Sequence, residues 1–143
     1  MSGVTKIVIN TEEQTAKFAD EFFKSLHGGE FIALIGNLGA GKTFFAKQLL
    51  KNIGVENASS PTFSLVNIYE GKPFSAAHFD FYRINKPEEL FDIGYYEYLD
   101  NPELITLAEW ADMFPGALPE KRIELKFVVI SENEREIEAT RYE

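Results

Sequence analysis

Cysteine is absent from this 143-residue chain. Neither a disulfide framework nor a thiolate metal centre can therefore belong to it. Positive charge is scarce as well: 14 Lys and Arg face 23 Asp and Glu, a formal net charge of −9. Proteins that grip nucleic acid alone neutralise phosphates with a basic face, so autonomous nucleic-acid binding is a poor expectation. Arginine is confined to Arg83, Arg122, Arg135 and Arg141, with no cluster suited to closing over a transferring phosphate. No apolar run approaches membrane-spanning length, and the first residues carry no apolar signal core. A soluble, cytoplasmic protein without membrane association is expected. Repeats, low-complexity tracts and linkers are also lacking. Residues 1–143 are therefore expected to form a single domain with room for a real core.

What is present centres on Gly36-Asn37-Leu38-Gly39-Ala40-Gly41-Lys42-Thr43, a full match to G-x-x-x-x-G-K-[ST]. Phe31–Ile35 before it is a short apolar run of the kind that forms a buried strand. After it, Phe44, Phe45, Leu49 and Ile53 recur at helical spacing, with Lys47, Gln48 and Lys51 on the polar face. Strand, glycine loop and helix are the context that a phosphate-binding loop requires. Glycines let successive N–H groups converge on phosphate oxygens, and the helix start adds positive potential there. Lys42 would reach the β- and γ-phosphates, and the Thr43 hydroxyl suits a Mg²⁺ ligand.

Around this loop the chain reads as alternating strands and helices. Lys6–Asn10 predicts a first strand, and Thr11-Glu12-Glu13-Gln14 a capping box. Phe18, Phe22 and Leu26 then share one helix face, with Ala19 and Phe23 alongside, until Gly28-Gly29. The loop 54–64 contains Ser59-Ser60-Pro61-Thr62-Phe63, where Thr62 is either a hydroxyl ligand sensing the γ-phosphate or part of a Ser-Pro turn. Strands are predicted over Phe63–Tyr69 and Phe74–Asp80, joined by a turn at Glu70-Gly71-Lys72-Pro73. Asp80 ends its strand where such enzymes place a Mg²⁺ carboxylate, although a strand-end cap would look the same. The run Ile105–Glu109 ends in a second acid, which a parallel sheet would bring beside Asp80 on the ligand side, unless it is merely a solvated terminus. The expected division has Asp80 serving the metal and Glu109 orienting the attacking water. Residues 87–102 predict two short helices separated at Gly94, with Tyr95, Tyr96 and Tyr98 either packing on the sheet or forming a binding face. Ile123, Leu125, Phe127 and Val129 alternate along a strand that turns at Ser131–Glu134 into a last strand carrying Ile137 and Ala139.

Gly36–Thr43, Ser60-Pro-Thr-Phe63, His78-Phe-Asp-Phe-Tyr-Arg83, Asp92-Ile-Gly94 and Glu109-Trp110 stand in the order and spacing of a known family. They resemble TsaE, also called YjeE, a small bacterial P-loop ATPase of tRNA threonylcarbamoyladenosine formation. The glycine loop alone is shared widely, whereas its combination with S-P-T-F, H-x-D-x-Y-R and E-W is specific. The resemblance implies ATP or ADP binding with Mg²⁺, weak hydrolysis by the isolated chain, and work with the partner proteins TsaB and TsaD. Hydrolysis would reset that assembly, and tRNA would be met only indirectly through it. Carried across, residues 36–43 and Trp110 would contact the nucleotide, and Thr43 and Asp80 would serve Mg²⁺. Lys42 and the switch threonine Thr62 would assist catalysis, and Glu109 would be the catalytic or metal-linked acid.

A small-molecule kinase is the alternative enzyme, but it needs an acceptor site and clustered cations. A nucleotide-dependent regulatory switch is the non-catalytic alternative. Asn85-Lys86-Pro87-Glu88 resembles a guanine-reading N-K-x-D only superficially, since it ends in Glu and contains a helix-starting Pro. The expected fold is α/β of the P-loop NTPase kind, with a mainly parallel central sheet flanked by helices and a C-terminal antiparallel hairpin. The charge yields a first prediction: the isolated chain will not retain tRNA on a filter at physiological salt. Tight retention would overturn it.

Overall fold

The computed structural model describes residues 3–143. Strand β1 (Gly3–Ile9) leads into helix α1 (Glu12–Phe23). The capping box forms in a shifted version: Thr11 Oγ1 accepts from Gln14 N at 3.1 Å, while Gln14 Oε1 reaches back to Asn10 N at 2.6 Å. Strand β2 (Phe31–Gly36), the glycine loop and α2 (Lys42–Lys51) follow as expected. Next come β3 (Val66–Tyr69), β4 (Ser75–Asp80), the short helices α3 (Glu89–Asp92) and α4 (Tyr95–Leu99), and β5 (Leu104–Glu109). Two 3₁₀ turns, Ala111–Met113 and Pro115–Ala117, precede the closing hairpin β6 (Arg122–Ser131) and β7 (Glu134–Tyr142).

All strands join one seven-stranded sheet in the order β1-β7-β6-β2-β5-β4-β3. Its centre, β6-β2-β5-β4, is parallel throughout. The antiparallel pairings lie at the flanks: β3 with β4, β6 with β7, and β1 with β7. Thus β2, the strand that delivers the glycine loop, has neighbours on both sides, and the carboxyl ends of β2, β5 and β4 open on one edge. That edge is where ligands bind in open α/β sheets.

Two apolar layers fix the sheet. On one face α1 and α2 pack through Phe18, Phe22 and Phe45, with Phe45 in turn against Phe127 of β6 at a ring separation of 5.6 Å. On the other face α3, α4 and the 3₁₀ turns cover β4 and β5. Tyr95 is fully buried there, edge-on to Phe31, Phe79 and Phe81. Tyr98 packs on Phe79, and Tyr96 pairs with the exposed Phe91. Sheet packing is therefore the fate of Tyr95 and Tyr98.

The strand expected from Phe63 begins only at Val66. Leu65 takes a left-handed φ of 70°, its N–H donating to Pro61 O at 2.7 Å, and Phe63 is 84% exposed. Side-chain bonds hold this loop in place of a ladder: Asn67 Nδ2 donates to Ser59 O at 3.1 Å, and Ser59 N donates to Tyr69 Oη at 3.1 Å. Phe63, Leu65 and Val66 fit a strand pattern, but tertiary contacts outweigh it.

Tyr95 Oη donates to the carbonyl of Ala117 at 2.9 Å, tying α4 to the second 3₁₀ turn. Burial raises the phenol's pKa, so it remains a donor. Tyr95→Phe keeps the ring and leaves that carbonyl unpaired, and should lower unfolding stability by about 1–2 kcal/mol in urea melts. An unchanged urea midpoint would show that the bond contributes nothing.

Candidate functional site

Two glycines shape the start of the loop. A Cβ on Gly36 would stand 2.5 Å from the carbonyl oxygen of Phe127 on the neighbouring β6, so only glycine lets β2 leave the sheet there. Gly41, the residue capping α2, has φ 106°, a conformation that L side chains rarely adopt. Between them the chain turns tightly, with Ala40 N bonded to Asn37 O at 3.1 Å, and Leu38 projects to solvent.

The loop residues Leu38, Gly39, Ala40, Gly41, Lys42 and Thr43 line a cleft of about 250 Å³. Thr62, Asp80, Glu109 and Trp110 complete its walls. Gly36 and Asn37 stand behind it, their carbonyls accepting from Lys42 Nζ, the latter at 3.4 Å. The Lys42 ammonium also lies 3.7 Å from the centre of the Trp110 ring, a cation–π contact. Lys42 is only 5% exposed. Burial lowers its pKa, opposed by the charges of Glu109, Asp112 and Asp80.

The two acids arrive in register, Asp80 of β4 directly opposite Glu109 of β5. Both line the cleft, and their hydrogen-bond partners differ. The Thr43 hydroxyl donates to Glu109 Oε1 at 2.8 Å. Thr62 instead donates to Asp80 Oδ2 at 3.1 Å, while Tyr82 N donates to Asp80 Oδ1 at 2.9 Å. Thr62 Oγ1 also lies 2.8 Å from Ser60 Oγ. Glu109 is 3% exposed, and burial alone would raise its pKa. Hydrogen bonds from His78 and Thr43, with the Lys42 charge, overrule burial and hold the carboxyl below its ordinary value. Trp110 follows with a left-handed φ of 58°, an uncommon state for a bulky residue, and its N–H bonds to Leu34 O at 3.1 Å. That bend sets the indole beside Lys42.

His78 is the neighbour to which the sequence reading assigned no role, although it stands in H-x-D-x-Y-R. Its signal was spacing: residues i and i+2 of a strand share a face, so His78 accompanies Asp80. Thr43, Asp80 and Glu109 form an all-oxygen donor set, which fits Mg²⁺, an ion usually held by one or two carboxylates together with phosphate and water. No group of three or more His, Cys, Asp or Glu able to hold a metal occurs among the described residues. An ion shared with a phosphate suits these donors better than one caged by protein alone.

A second cleft, of about 270 Å³, adjoins the loop at Gly39–Gly41 and runs between the start of α1 and the β6–β7 turn. Asn10, Thr11 and Asn133 offer polar atoms there, and Phe44, Phe127 and Ile137 apolar ones.

The family model for threonylcarbamoyl adenosine biosynthesis protein TsaE matches residues 9–137. The chain belongs to the TsaE family. It is 39% identical over 131 residues to the tRNA threonylcarbamoyladenosine biosynthesis protein TsaE of Rickettsia felis, covering 90% of this chain and 75% of that protein. The protein of the same name from Aquifex aeolicus is 36% identical over 140 residues, 96% of each chain. Among solved structures, Bacillus subtilis YdiB superposes with a TM-score of 0.81 at 25% identity, covering 100% of this chain and 88% of that one. The family match spans both acids, the loop and Thr62, and the fold is the expected P-loop NTPase kind. Among the described residues no helix is long and apolar enough to cross a membrane.

Lys42→Ala removes the one cation that lines the cleft among the described residues. It should weaken Mg-ATP binding about 10- to 100-fold, the size of a charge-assisted hydrogen bond of roughly 1.5–3 kcal/mol, with helical content unchanged. Titration by calorimetry beside circular dichroism checks this. Unaltered affinity in a folded variant would remove the cleft as the nucleotide site.

Proposed function

We propose that this chain is a Mg²⁺-dependent ATPase serving tRNA threonylcarbamoyladenosine formation in the cytoplasm, weakly active alone and dependent on TsaB and TsaD for its work. The observation that carries the reading is the bond from Thr43 to Glu109, which joins the glycine loop to the acid at the end of β5 inside one cleft.

The backbone amides at the start of α2 would receive the phosphates, and Lys42 would pair with the β- and γ-phosphate oxygens. Thr43, Glu109 and Asp80 would hold Mg²⁺, which when bound neutralises charge on the phosphoryl group being transferred. The base and ribose would extend into the adjoining cleft beside Asn10 and Asn133. Glu109, fixed by Thr43, would act on the metal side of the site and would also orient the attacking water. Asp80 accepts from Thr62, whose hydroxyl would feel the γ-phosphate.

Phe63, next to Thr62, is exposed beneath the Arg83 guanidinium at 4.9 Å, so movement at Thr62 would be felt at the surface. That continuity supports a resetting role for hydrolysis, in which partner contacts follow nucleotide state. The acidic charge supports leaving the tRNA to the partners.

Glu109→Gln is nearly isosteric and removes the charge. Single-turnover hydrolysis in the assembled complex should fall by about 10²–10⁴, roughly 3–5 kcal/mol of barrier. ATP affinity measured with and without Mg²⁺ locates the residue: loss of the metal-dependent gain is expected from its bond to Thr43. Retained gain with lost turnover would assign Glu109 to the water alone. Normal hydrolysis would eliminate it as the catalytic acid.

A further inference from the structure

His78 is fully buried, and its Nε2 stands 2.6 Å from Glu109 Oε2. A carboxylate only accepts, so the Nε2 atom is the donor. The other nitrogen, Nδ1, has no hydrogen-bond partner among the described residues, and no acceptor there competes for the ring proton. An imidazole buried with one nitrogen unpaired is unfavourable compared with a well-packed apolar side chain. What offsets this is a short bond to a charged oxygen, the strong class of hydrogen bond.

The geometry is directional. Oε2 of Glu109 is taken by His78 from β4, and Oε1 by Thr43 from α2. A free carboxylate at a strand end would rotate among several orientations, and each donor removes part of that freedom. With Oε2 tied down behind, only Oε1 can face the glycine loop. The sheet register makes the contact rigid, because His78 lies opposite Leu107, two residues before Glu109 on β5.

We propose that His78 is a positioning residue for Glu109: its Nε2–H fixes Oε2 so that Oε1 is presented to Thr43 and to the metal–nucleotide complex. The proposal rests on the role given to Glu109 above.

Three variants test it, His78→Leu, His78→Gln and His78→Asn. Gln can extend an amide N–H to where Nε2 stands, Asn falls short, and Leu offers no donor. The probe is ADP, titrated with and without Mg²⁺ and followed by the fluorescence of Trp110, the single tryptophan. Single-turnover ATP hydrolysis with the partners and thermal melting accompany it. In His78→Leu the Mg²⁺-dependent gain in ADP affinity and the turnover should each fall about 10- to 100-fold, the usual effect of losing a hydrogen-bond partner of a metal ligand. Metal-free ADP affinity should stay within about twofold. His78→Gln should recover most of both losses and His78→Asn should not.

A folded His78→Leu with an unchanged metal-dependent gain and turnover overturns the proposal. So does equal loss in the Gln and Asn variants, which would mean that ring packing alone matters. That pair decides the question if the Leu variant fails to fold. Glu109→Gln, measured in parallel, separates the two levels. If it is impaired while His78→Leu is not, only the positioning role fails, and if it behaves like the parent, the role of Glu109 fails and this inference falls with it.

Discussion

A carboxylate buried at the end of a central strand persists as a charge only where donors surround it, and the site depends on that condition at Glu109. Thr43 supplies one donor from the first turn of α2, and His78 supplies another from β4. Lys42 adds a cation from the same helix start. Three elements that are remote in sequence are thereby held at one point, Thr43 and Glu109 being 66 positions apart. Burying an ion without such partners costs several kcal/mol after relaxation, so the network and the strand order require each other. Were β5 not next to β2, Glu109 would not meet Thr43.

The second acid has a different partner. Asp80 shares the register of Glu109 but bonds to Thr62, on a segment held by side-chain bonds and by two backbone bonds, Leu65 N to Pro61 O and Asp80 N to Leu65 O. Its left-handed Leu65 adds local strain of the kind found at ligand-responsive sites. One acid is thus tied to the rigid helix and the other to a loop that ends in the exposed Phe63. Equivalent positions at the ends of adjacent strands have unequal mechanical surroundings.

This inequality marks what was legible in the residues alone. The glycine loop, its strand and its helix could be read because their constraints are local: a motif, an apolar run and a helical period. Both acids could be placed on one edge because parallel strands align their carboxyl ends. Which acid meets Thr43 could not be read, since it follows from the order β2-β5-β4, and strand order leaves no mark in periodicity. The bond from His78 was half visible, as its spacing from Asp80 gave the face but not the neighbour. The misplaced start of β3 has another cause. Phe63, Leu65 and Val66 satisfy a strand pattern locally, but Leu65 bonds to Pro61 and turns the chain away.

The charges of the site carry a last consequence. Asp80 and Glu109 put two carboxylates against the single ammonium of Lys42 at a cleft proposed to receive a triphosphate. Amides at the helix start contribute only about half a positive charge near its end. A metal-free triphosphate would therefore meet net repulsion from the acids, in a chain already at −9. If Asp80 and Glu109 held a divalent cation, as proposed, it would reverse that sign, because each acid that opposed the nucleotide would then hold the ion that binds it. On that reading nucleotide affinity and metal affinity would be one coupled quantity, sensitive to how both carboxylates are oriented. On the proposed reading, rigidity at Glu109 would serve binding as well as chemistry, and the two donors from Thr43 and His78 supply it.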